Sequence, residues 1–144
     1  MHINILSSIL VLGIAMTNPA IARDDTRKFP IVDPMNTSTA TSLTGVKFYF
    51  GDQPHPAVAR NIGMYSTRRT TNAFGKSEKE ACDWGFLSAI KTFWERAQSE
   101  GGNAVINIKS VTTGSVDSST TEYTCRAGNV VAKVYLEGTV VILK

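Results

Sequence analysis

At 144 residues, with a net charge of +3 and two cysteines, the chain has the size of one modest domain behind an N-terminal segment. Its 15 Lys and Arg and 12 Asp and Glu are scattered along the sequence. Neither the basic stripe of a nucleic-acid binder nor the cysteine cluster of a zinc module is visible, and both classes are set aside.

The first 22 residues contain no Lys, Arg, Asp or Glu. Ile5 to Ala15 form a mostly apolar run too short to span a bilayer, and Ala20-Ile21-Ala22 places small residues where a signal peptidase cuts. A signal peptide over residues 1–22 is therefore expected, with cleavage near Ala22 and a periplasmic or secreted product. No Cys follows Ala22, so no lipid anchor is expected, and nothing in the mature part reads as a transmembrane segment. Residues 23–44 hold two prolines and a Ser/Thr-rich tract with little periodicity, which predicts a flexible N-terminal segment. A single domain is expected over residues 45–144.

Within that domain, Val46 to Phe50 alternates and is rich in β-formers, which predicts a strand stopped by Gly51. The stretch PHPAVARNIG can hold one helical turn, and Met64 to Thr70 a second strand. Ser77 to Glu100 is the clearest element. Ser77 and Glu80 have capping-box spacing, Gly101-Gly102 supplies the stop, and Cys82, Phe86, Ala89, Ile90, Phe93 and Ala97 fall on one helical face. Beyond it, Ala104, Ile106 and Ile108 alternate with Val105, Asn107 and Lys109 as a strand. VTTGSVDSST predicts a polar hairpin loop, and TEYTCRA a strand with Tyr123 and Cys125 on one side. NVVAKVYLEGTVVIL is strongly β, with a break or bulge expected at Glu137-Gly138.

Two cysteines in an exported chain predict one disulfide, Cys82 to Cys125. Closing a loop of 43 residues contributes about 4 kcal/mol in the chain-entropy treatment.

Few residues offer chemistry. Gly75-Lys76-Ser77 opens the helix as a phosphate loop would, but the first glycine of that motif is replaced by Thr70, so no nucleotide site is expected. Asp52 and His55 are the candidate metal or hydrolytic pair, yet the mature chain offers no second histidine to complete a ligand set. Trp84 falls on the polar side of the helix, with Lys91 on the same side. The pair is the candidate partner contact, because aromatics are favoured at interface cores.

The blocks KFYFGDQPHP, GGNAVINIKS and GTVV resemble a group of small exported bacterial proteins often labelled as an excinuclease ATPase subunit. The order of Ala97 to Val105 and Gly138 to Val141 is more distantly similar to the YbjQ-like domain and the envelope stress sensor RcsF. That resemblance implies a small α+β domain with a helix across a sheet, and either oligomers or partner binding in the envelope. The ATPase label finds no support in these residues.

The expected fold is thus α+β, YbjQ/RcsF-like: one long helix on a mostly antiparallel or mixed sheet of four to five strands. The expected function is a non-enzymatic exported domain without cofactor that binds an envelope protein or component, or itself. A metal-binding or hydrolytic protein using Asp52 and His55 is the alternative.

Overall fold

The computed structural model describes residues 13–15 and 25–144. Most of the signal-peptide stretch, and the cleavage point near Ala22, lie outside the described residues.

Among the described residues, seven strands, one long helix and two short ones make up the fold. In chain order they are β1 (Asp25–Pro30), the short helices α1 (Val32–Met35) and α2 (Ser38–Thr41), β2 (Lys47–Phe50), β3 (Val58–Asn72), α3 (Glu78–Glu100), β4 (Ala104–Thr112), β5 (Ser115–Asp117), β6 (Glu122–Ala127) and β7 (Val131–Leu143). All seven strands belong to one mixed sheet, in which β2 and β4 are the parallel pair. This corrects the expected sheet of four to five strands. The sheet is larger because two strands, β1 and β5, come from stretches without a hydrophobic pattern, and the expected strand at Met64 to Thr70 extends to β3. β1 arises in the supposedly flexible segment and pairs with β6 from Asp25↔Ala127 to Pro30↔Glu122. β5 pairs with β4 inside the expected hairpin loop. β3 is polar because one face is open to solvent. It absorbs the end of the expected helical turn at Val58 to Gly63.

β7 is the spine. Along one side it pairs with β3 from Val58↔Leu143 to Asn72↔Val131. Its other side takes β6 at the start, with Arg126↔Lys133, and β4 at the end, from Ser110↔Leu136 to Ala104↔Val141. No break occurs at Glu137-Gly138. The irregularity sits opposite, in β4, where register shifts between Ile106 and Lys109 and Asn107 takes a positive φ of 51°. Two β4 residues therefore face Gly138 alone, which is a β-bulge. The bulge also corrects the expected alternation. Ala104 and Ile106 pair with Val141 and Thr139 on the outer face, while Val105 and Ile108 join the main core.

The helix forms as its caps predict. The Ser77 hydroxyl accepts the Glu80 N–H at 3.1 Å, and Gly101 closes the other end in the left-handed region at φ 76°. Cys82, Phe86, Ala89, Ile90, Phe93 and Ala97 are fully buried against Val134, Leu136 and Val140 of β7 and Val105 of β4. Gly138 is a point of close approach. A Cβ there would lie 2.8 Å from Val105 Cγ1, 3.2 Å from Ile108 Cγ1 and 3.3 Å from Phe93 Cζ. Only a hydrogen fits in that space. A smaller core of Ala104, Val141 and Leu143, flanked by Tyr49 and Ile106, covers part of the outer face.

Cys82 and Cys125 are bonded, with Cα atoms 5.9 Å apart, and tie the start of α3 to β6. Both cysteines are fully buried in the main core. Replacing both with serine is expected to lower stability by about 2–5 kcal/mol in urea unfolding. Gly138→Ala is expected to cost about 1–3 kcal/mol by overpacking, read as a lower denaturation midpoint at unchanged m-value.

Candidate functional site

The side chains expected to carry chemistry do not converge. Asp52 and His55 are both exposed. His55 Nδ1 lies 2.7 Å from the Pro56 carbonyl oxygen, and its ring meets Tyr49 edge-on at 5.5 Å. The ring is thus held in the turn between β2 and β3 by local contacts. Among the described residues no group of three or more His, Cys, Asp or Glu is placed to hold a metal ion. Lys76, the lysine of the incomplete phosphate loop, donates instead to the Asn72 carbonyl at 3.1 Å.

A different cluster forms at the start of α3. Tyr123 on β6 is 1% exposed, and its hydroxyl donates to Asp83 Oδ1 at 2.5 Å. Asp83 Oδ2 accepts from Lys79 Nζ at 2.6 Å, and Lys79 also reaches Asp33 Oδ2 of α1 at 3.1 Å. The Tyr123 ring stacks on Phe86 with centroids 4.4 Å apart. Burial, and then the bond to Asp83, push the Tyr123 hydroxyl far above its usual range. The hydrogen bond to Asp83 also raises the Lys79 ammonium. Phenol, carboxylate, ammonium and second carboxylate so make one chain from the core to the surface, joining β6, α3 and α1.

Lys79 and Asp83 of that chain line a groove of about 550 Å³. Thr37, Ser38 and Thr39 form one side of it, and Ser77, Lys79, Glu80, Asp83, Trp84 and Leu87 of the helix region form the other. Trp84 remains 52% exposed, so the N-terminal segment that docks alongside leaves much of the indole open. On its other flank Trp84 lines a second groove of about 440 Å³ with Thr71, Asn72, Lys76, Glu80 and Ser88. Lys91 is 58% exposed and sits 3.6 Å from Glu95. The surface combines one aromatic wall with charged groups and hydroxyls, which suits it to recognition by contact and hydrogen bonding.

Sequence reasoning singled out Trp84 and missed Asp33, Lys79, Asp83 and Tyr123. One signal was present. Asp83 follows Cys82 and Tyr123 precedes Cys125 by two, so the disulfide brings their side chains to the same region. Asp33 gave none, since its partner depends on the docking of α1.

No protein-family model, curated protein or solved structure matches the chain, so the family resemblance rests on its sequence blocks alone.

The raised Tyr123 pKa predicts a loss of stability in alkali. The native phenol keeps its proton where the unfolded one ionises above its ordinary value of 10.0, so the unfolded state binds fewer protons and stability falls as pH rises. Tyr123→Phe is expected to flatten urea-measured stability between pH 10 and 12 by about 1.4 kcal/mol per pH unit relative to the wild type.

Proposed function

We propose that the protein is an exported, non-enzymatic binding domain of the cell envelope, and that its contact surface is the outward side of α3 around Trp84 and Lys91. The observation that carries this reading is the half-exposed indole of Trp84. A Trp on the solvent side of a well-packed helix forgoes part of its burial energy, and that position serves a contact better than a core. The grooves on both flanks give a partner side chains places to enter. The Lys79–Asp83–Tyr123 chain ties two lining residues of the groove to the core, which favours a preformed surface that loses little ordering entropy on binding. A buried disulfide is compatible with an oxidising compartment. Among the described residues no helix is long and apolar enough to cross a membrane.

A photoreactive side chain at position 84 is expected to crosslink one envelope component, or a second copy, in living cells. With that purified component, Trp84→Ala is expected to weaken binding about tenfold or more at an unchanged melting temperature. A Trp84→Ala variant that melts lower but binds equally well overturns the reading and makes Trp84 a stability residue.

A further inference from the structure

β3 is an edge strand of unusual length. It pairs with β7 along 15 residues, and among the described residues no strand pairs with its other side. The remaining outer strands are short, with six residues in β1, four in β2 and three in β5. Short edges resist adventitious pairing, whereas a long flat one invites an added strand. The register shifts that disturb β3 lie between Val58 and Gly63, and from Gly63 to Asn72 the pairing is unbroken.

The phase of the ladder shows which groups face outward. Ala73 N–H donates to the Val130 carbonyl at 2.8 Å, and Gly128 N–H donates to the Val131 carbonyl at 2.9 Å. In an antiparallel pair hydrogen-bonded and non-bonded residues alternate. Tyr65, Thr67, Arg69 and Thr71 therefore bond to β7, and Met64, Ser66, Arg68 and Thr70 turn their N–H and C=O groups to the open edge. All four are exposed. Three inward side chains of β3 are held by the helix. Tyr65 lies under the Arg96 guanidinium at 4.6 Å, Arg69 Nε donates to Thr92 Oγ1 at 3.0 Å, and Thr71 Oγ1 donates to the Ala81 carbonyl at 2.8 Å. These contacts tie β3 to α3 along the run that carries the open edge.

Charge decides between occupants. β3 carries Arg60, Arg68 and Arg69 and no Asp or Glu, so a second β3 would bring six arginines along one seam. Opposite charges across a strand pair stabilise it, and like charges weaken it. The groove beside Trp84 opens at the end of this same edge, between Thr71 and Asn72 of β3 and Ser88 of α3.

We propose that β3 takes up an extended, acidic segment of a partner protein as an eighth strand along Met64 to Thr70. An apolar side chain of that segment enters the groove against Trp84. The proposal rests on the reading of Trp84 as a contact and names the kind of partner and its mode of attachment. Main-chain hydrogen bonds supply the affinity, and the arginines and the indole supply the selectivity.

The test uses the full chain and two capped ten-residue peptides, one alternating Val and Glu and one alternating Val and Lys, titrated by calorimetry. The acidic peptide is expected to bind saturably and about fivefold or more tighter than the basic one, because Arg68 meets an opposite charge in the first and a like charge in the second. Ser66→Pro removes an N–H that β7 does not use, so the sheet persists while the added strand is blocked. Its circular dichroism is expected to match the wild type, with acidic-peptide binding lost. Should Ser66→Pro misfold, Arg68→Glu decides instead: the preference is expected to shift toward the basic peptide. Equal binding of both peptides, or full binding by folded Ser66→Pro, overturns the proposal. A dimer in sedimentation that Ser66→Pro dissociates makes a second copy the occupant and also overturns it. The two readings separate cleanly. Loss of the crosslinked partner in Trp84→Ala but not in Ser66→Pro keeps the Trp84 contact and rejects strand addition. Peptide binding lost in Ser66→Pro but intact in Trp84→Ala does the reverse.

Discussion

The packing of α3 on the inner side of β7 is the constraint from which the rest of the structure follows. Ala132, Val134, Leu136 and Val140 present a smooth surface there, and Gly138 lets Phe93 approach closely enough to fill it. A helix buried this deeply needs a wide floor. β3 widens the floor on one side of β7, and β4 and β6 share the other side end to end. The bulge at Asn107 is part of the same fit. It turns both Val105 and Ile108 toward the helix across from the missing side chain of Gly138.

The disulfide acts on this arrangement from within. It joins the first half of α3 to β6 at a fully buried point and so sets the height at which the helix crosses the sheet. The polar chain from Tyr123 through Asp83 and Lys79 to Asp33 grows out of that anchor. Its inner end lies in the core, where an unpaired hydroxyl would be costly, and the Asp83 carboxylate removes that cost. Its outer end holds α1 against the helix. The N-terminal stretch is therefore part of the domain, through β1 on β6 and through Asp33 on Lys79.

The core leaves two places open. α3 spends its apolar face on the sheet and still carries Trp84 outward. β3 spends one edge on β7, and among the described residues no strand pairs with its other edge. The groove between them is lined by both elements, so a single partner chain can engage the indole and the open edge together.

Much of this was legible before any coordinates. The caps, the apolar face of α3, the Cys82–Cys125 bond and the outward Trp84 follow from helical periodicity and cysteine chemistry, which act over a few residues or need only a count. β7 was visible because it is rich in apolar β-formers. The sequence by itself determined which segments must be buried and which helix buries them. Tertiary structure alone decided how many strands complete the sheet, where the bulge lies, that β1 belongs to the domain, and which carboxylate meets Tyr123. The reason is physical. β1 is held by backbone hydrogen bonds to β6 far along the chain and β5 by a tight hairpin onto β4, and a backbone bond leaves little mark on the choice of side chain.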